Sequence, residues 1–167
     1  MSVISLEDAQ SHICTHFNSF KRLPALIELR SQMCRDDWLK VIGREWSGFD
    51  NISVYKKQLK RLLPVICIEM MSQQEIDLFS NLGRTTTIYR GCGAAGIDGI
   101  CWTLDKAIAK KFTSFNRYEV EDPIIVTARI RKENIVAVKL DREEQEIICF
   151  NPNIIKIESN PIQSSPC

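Results

Sequence analysis

Several groups of residues in this sequence combine the side-chain types and the spacing that chemistry needs. Tyr89-Arg90-Gly91 closes a β-branched run that begins at Thr85, and an arginine at a strand end can hold a phosphate in a bidentate grip. Cys101-Trp102-Thr103 sets a hydroxyl beside an aromatic ring, a pair suited to fixing a flat heterocycle. Glu144-Gln145-Glu146 leads straight into the apolar run Ile147-Ile148-Cys149-Phe150. Two carboxylates two residues apart on extended chain share a face, and a carboxylate at a strand start can stabilise a developing sugar cation. Each group also has an ordinary reading: a surface charge, a core residue with a helix cap, a solvated charged turn. Their order along the chain is what suggests a single site.

Three further patterns carry less. Gly91-Cys92-Gly93-Ala94-Ala95-Gly96 matches G-x-G-x-x-G after a strand. A dinucleotide fingerprint also needs a helix to begin there, whereas Ile97-Asp98-Gly99-Ile100 continues as turn and strand, so the glycines read as a flexible loop. His12 and His16 are spaced to chelate zinc from one helix face, but no third ligand is near in sequence and Cys14 points the other way, so no metal site is expected. Lys56, Lys57, Lys60 and Arg61 make a basic helix face, read by default as solvated.

The elements that must position these groups divide the chain into a helical half and a strand-rich half. Ser5 with Asp8 makes a capping-box-like start for a stripe of Leu6, Ala9, Ile13, Phe17 and Phe20. A second helix is expected after Pro24, with Leu26, Leu29, Met33, Trp38, Val41 and Ile42 as its stripe and Gly43 or Gly48 as its stop. Asp50 is placed to cap a third, over 52–63, and Ser72 with Glu75 opens a fourth that stops near Gly83. Beyond Thr85, segments 124–130 and 135–140 flank 131–134 as a hairpin, and 146–150 and 154–157 flank the turn Asn151-Pro152-Asn153. One helix interrupts the strands, with Leu104, Ala107, Ile108, Phe112 and Phe115 on one face and Thr103 as its N-cap.

Composition sets outer bounds. The chain has 167 residues, 44% hydrophobic and 26% charged, enough to bury a core without disulfides or metal. A net charge of +1 gives no global pull towards nucleic acid or an anionic membrane, so nucleic acid is a disfavoured partner. The longest apolar stretch, 62–71, is broken by Pro64 and Glu69, so no membrane span is expected. Seven cysteines in an odd count without regular spacing read as reduced thiols. With no basic leader before Glu7 and Asp8, a cytoplasmic location is expected, or delivery into another cell by a dedicated secretion machine. The expected class is α+β: a helical N-terminal part (1–83) packed on a small split mixed β-sheet (84–159), with a frayed tail (160–167), all in one compact unit.

Between Thr85 and Glu158 the chain resembles the mono-ADP-ribosyltransferases of the Arg/Ser/Glu group, whose fold is a split sheet gripping NAD. The resemblance rests on Tyr89-Arg90-Gly91 as the first-strand arginine motif and on Trp102-Thr103-Leu104-Asp105 with Ala107 and Phe112 as the second-strand motif. The third element is Glu144-x-Glu146 entering a strand. Where that family usually carries Ser-x-Ser or Ser-x-Thr, this chain has Cys101-Trp102-Thr103. Only twelve residues lie between Arg90 and Thr103, so helices that commonly lie there must come from the N-terminal half or be absent.

The resemblance implies NAD as co-substrate and a macromolecular acceptor, foremost a protein. Glu146 would stabilise the oxocarbenium-like ribose, and Glu144 would position or deprotonate the acceptor, which in the family goes with arginine. Arg90 with Gly91 would bind the diphosphate, Thr103 would support the nicotinamide ribose or Glu146, and Trp102 or Tyr89 would pack on the nicotinamide. Two other functions are compatible with the same motifs: an NAD glycohydrolase-type toxin, and an inactive interaction module on the same fold.

Overall fold

Three helix starts are set by a side-chain cap, at Ser5, Ser72 and Asp105. In a computed structural model, which describes residues 3–114 and 121–160, the first helix α1 (Leu6–His16) begins with the Ser5 hydroxyl accepting from the Asp8 amide at 3.1 Å. Leu6, Ala9 and Ile13 are buried, but Phe17 caps the helix end and Phe20 is exposed, so the stripe stops two turns earlier than its periodicity predicts. The single helix expected after Pro24 is two. α2 (Ser19–Glu28) contains Pro24 and α3 (Arg35–Glu45) carries Trp38, Val41 and Ile42, with a 3-10 turn, Leu29–Gln32, between them. Pro24 is tolerated because the carbonyl it leaves without a partner belongs to Phe20, on the exposed side. Trp38 is wholly buried and spends its indole N–H on the Leu26 carbonyl at 2.7 Å, tying α3 to α2. Truncating such a side chain typically costs about 3–5 kcal/mol.

Asp50 caps nothing: it accepts from the Ser19 hydroxyl at 2.6 Å, and the segment expected as one helix is a 3-10 turn, Ile52–Tyr55, running into α4 (Lys56–Leu62). α5 (Gln73–Asn81) has the full capping box of Ser72 and Glu75. The strand half comprises β1 (Thr85–Cys92), β2 (Cys101–Thr103), α6 (Lys106–Phe112), β3 (Ile124–Arg131), β4 (Ile135–Lys139), β5 (Glu146–Cys149) and β6 (Asn153–Ser159). The N-cap of α6 is Asp105, whose side chain accepts from the Ala107 amide at 2.7 Å, and not Thr103. Phe115 and the tail beyond 160 lie outside the described residues. Asn160 is tied down, its amide donating to Pro123 and its side chain to Thr113.

The six strands form one sheet in the order β4-β5-β2-β1-β3-β6, and every pairing is antiparallel, so the class is α+β while the expected mixed sheet is not found. Neither expected hairpin forms. β3 and β4 follow each other through the 3-10 turn Lys132–Asn134 yet pair on opposite sides of the sheet, β3 with β1 and β6, β4 with β5. β5 and β6 likewise part at the turn Asn151-Pro152-Asn153, since a proline cannot carry a ladder hydrogen bond and the chain leaves the sheet there. The halves β4-β5-β2 and β1-β3-β6 meet through one registered pair, Tyr89 opposite Thr103. The sheet therefore opens beside that pair. The apolar core runs through both halves of the chain, from Leu6 on α1 to Phe150 after β5. No helix among the described residues is long and apolar enough to cross a membrane.

Candidate functional site

A row of paired residues crosses the seam of the sheet. Tyr89 of β1 stands opposite Thr103 of β2, Thr103 opposite Glu146 of β5, and Glu146 opposite Lys139 of β4. Beside that row lies a cleft of about 440 Å³, and Tyr89, Arg90, Gly91, Trp102, Thr103, Glu144 and Glu146 all border it. Every site residue expected from the motifs therefore meets at one place. The facing wall comes from the N-terminal half, where Trp46, Phe49 and residues 50–53 border the same cleft.

Individual roles differ from expectation. Thr103 is 3% exposed, and its hydroxyl donates to the Glu144 carbonyl at 2.7 Å while accepting from the Asp105 amide at 3.1 Å. Both capacities go to backbone, so Thr103 shapes the approach to Glu146 without touching its carboxylate. The contact is made by Cys101. Burial first, and then the neighbouring Glu146, raise its thiol well above the ordinary value, so it stays protonated and donates to Glu146. Trp102, also 3% exposed, donates its indole N–H to the Gly99 carbonyl at 3.0 Å, which leaves it anchored in the wall. The aromatic pair on the other wall, Trp46 and Phe49, meets edge to face at 6.2 Å.

Arg90 donates from Nε to the Gly96 carbonyl at 2.8 Å and from Nη1 to the Cys101 carbonyl at 2.6 Å, and it also bonds the Cys92 thiol. The guanidinium packs so closely on Gly99 that any side chain there would collide with it. The glycine loop is thus pinned, with Lys56 adding a bond to the Asp98 carbonyl at 2.6 Å, where sequence alone read it as flexible. No dinucleotide-type helix follows: Ala94–Gly96 is a single 3-10 turn. Gly91 is required for packing, because a Cβ would run into the Ala109 carbonyl of α6. An arginine has five N–H donors, so Arg90 keeps capacity for an anion while held in fixed orientation.

The carboxylates sit in a strained turn. Arg142, Glu143 and Gln145 all adopt left-handed backbone, at φ 58°, 59° and 44°. Each such residue costs about 1–3 kcal/mol, a cost that persists where the surroundings over-determine it. The restraints are visible: the Arg142 guanidinium donates to the Ser47 carbonyl at 2.8 Å, the Leu104 amide donates to Gln145, and Thr103 holds Glu144. Glu146 accepts from the Trp46 indole N–H at 3.0 Å. Burial pushes its carboxyl above the usual range, against the hydrogen bonds from Cys101 and Trp46. Burial, then the charge of Glu146, raises Glu144 as well.

Outside the cleft, His12 and His16 are exposed with ring centroids 5.0 Å apart, and among the described residues no cluster of three or more metal-ligating side chains occurs. Trp46, Phe49 and Arg142 are the site residues that sequence reading missed. Trp46 follows a helix stripe and looks like core, and nothing local indicates that it faces a residue one hundred positions away. Comparison with protein-family models, with curated proteins and with solved structures finds no match for this chain.

Proposed function

We propose that the chain is an NAD-dependent mono-ADP-ribosyltransferase that moves ADP-ribose onto a macromolecular acceptor, foremost a protein side chain, with release of nicotinamide. One observation carries the reading. Arg90, the Cys101–Thr103 strand and the Glu144–Glu146 pair, far apart in sequence, border one cleft at the seam of a sheet held by a single residue pair. An arbitrary α+β domain has no reason to bring those three segments together beside a strained carboxylate turn.

In this reading the bond between nicotinamide and ribose breaks heterolytically and nicotinamide leaves with the electron pair. Positive charge builds on the ribose, and the Glu146 carboxylate beside it lowers the barrier. The acceptor nucleophile then bonds to the anomeric carbon, and its proton passes to Glu144, whose carboxyl is raised above the usual range by burial and the neighbouring Glu146 and is thereby made a stronger base. Arg90 takes the diphosphate. The Trp46 and Phe49 rings, with Tyr89 across the cleft, form the walls for the flat groups.

The test is incubation of the purified chain with NAD labelled in its adenylate and a cell lysate, following free nicotinamide and label on macromolecules, beside Glu146→Gln. Label on a discrete band that the variant loses supports transfer. Nicotinamide release without macromolecular label turns the reading to NAD hydrolysis, and NAD binding without release turns it to an inactive module.

A further inference from the structure

We infer that Trp46 is a positioning residue for Glu146, through which the helical half fixes the orientation and charge of the carboxylate at the seam of the sheet. The inference rests on the proposed role of Glu146 as the group facing the ribose, but the contact itself can be tested without any activity.

The geometry is a clamp with two jaws on adjacent residues. The 3-10 turn Trp46–Gly48 presents its first side chain and its second carbonyl to the turn that carries the carboxylates. The Trp46 indole N–H donates to Glu146 Oε1 at 3.0 Å, and the Ser47 carbonyl accepts from Arg142 at 2.8 Å. The two contacts hold the start and the end of the stretch that runs through three left-handed residues. Trp46 itself cannot swing away: it is 1% exposed and lies edge to face on Phe49. An N–H aimed at a carboxylate favours its ionised form and fixes the oxygen it bonds, so the orientation of the carboxylate is held from the helical half.

The remaining tryptophans make the hypothesis unusually easy to test. Trp38 and Trp102 donate to the carbonyls of Leu26 and Gly99, which do not titrate. Of the three indoles, that of Trp46 alone donates to a titratable group. The groups around Glu146 that also carry charge or titrate are Cys101 on β2, Arg90 on β1 across the same cleft, Lys139 on β4 with its partner Glu75 on α5, and Asp141, Arg142 and Glu144 in the turn.

The experiment is an NMR titration of the indole N–H signals in uniformly ¹⁵N-labelled full-length protein, without NAD. One indole signal should move with pH around a midpoint above the ordinary glutamate range, vanish in Trp46→Phe, and stop moving in Glu146→Gln, while the other two stay flat. If Trp46→Phe does not fold, the Glu146→Gln spectrum decides alone. A Trp46 signal that does not titrate, or that still titrates in Glu146→Gln, overturns the inference, as does one that stops only in Glu144→Gln. Where nicotinamide release is measurable, Trp46→Phe should lower kcat about tenfold at neutral pH, since a hydrogen bond to a charged group is typically of that order. It should also move the acid limb of the profile to higher pH, because Glu146 loses a donor to its ionised form. A titrating indole in a protein that releases no nicotinamide would keep the clamp and remove the proposed reaction.

Discussion

Glu75 and Glu146 are two glutamates on either side of one lysine, and their environments push them in opposite directions. Glu75, on α5, is buried, yet its carboxyl lies below the usual range. Burial alone would raise it, but the Ser72 and Leu140 amides and the Lys139 ammonium, 2.9 Å away, outweigh burial. Glu146 stands opposite Lys139 in the strand register, but the lysine's ammonium is spent on Glu75 and the Met70 carbonyl. With an indole N–H and a thiol as its donors, burial wins and its carboxyl is raised. The first carboxylate is held for stability, whereas the second is left short of charge compensation at the edge of a cleft. In the proposed reaction, that shortage leaves Glu146 free to respond to a transient cation.

The sharpest way to break the comparison is at the shared lysine. Lys139→Met should destabilise the protein by about 4 kcal/mol in urea unfolding, because Glu75 is left buried and unpaired, and adding Glu75→Gln should recover most of it. A double variant no more stable than the single one would show that the pair contributes nothing specific.

Next in size, Glu146→Gln should lower nicotinamide release by about a hundredfold or more, the usual scale for losing a group aimed at developing charge. Its melting temperature should stay level or rise by about 2 °C, because a carboxylate disfavoured by burial is removed. A fall in stability together with activity would instead make Glu146 a structural residue.

The two glutamates should also leave opposite signatures in the pH dependence of stability. For Glu75 the folded pKa is lowered, so its stabilisation is present above the unfolded value and is lost as pH falls through the folded one. For Glu146 the folded pKa is raised, so the native state binds the extra proton between the two values, and stability falls as pH rises through that window. Unfolding midpoints measured from acid to neutral pH should therefore show Glu75→Gln removing an acid-side loss and Glu146→Gln removing an acid-side gain. The smallest effect expected is at the start of α6. Asp105→Ala should cost about 1 kcal/mol through the lost N-cap, without changing the pH at which either glutamate titrates.

Legibility followed the range of the interactions. Ser5 and Ser72 announce their helices because a cap is made within three residues, and β1 was readable as a run of β-branched side chains. The motif residues were readable as types: Arg90, Thr103, Glu144 and Glu146 do border one cleft. What failed was pairing. β3 and β4 look like a hairpin, since a short polar turn joins two apolar runs, yet β4 and the middle of β3 are buried on both faces and each run pairs elsewhere in the sheet. Contacts within the site were not legible for the same reason: Cys101 bonds Glu146, whereas Thr103, expected to support either Glu146 or the ribose, spends its hydroxyl on the backbone.

The sequence by itself determined the change from helices to strands near residue 84, the starts of α1 and α5 and the identity of the chemical groups, because these depend on side-chain type and on neighbours a few positions away. The tertiary structure decided that the sheet opens at Tyr89 and Thr103, that Lys139 belongs to Glu75, and that Trp46 reaches Glu146. A carboxylate's charge is set by what surrounds it once water is excluded, and that company is assembled only when distant segments pack.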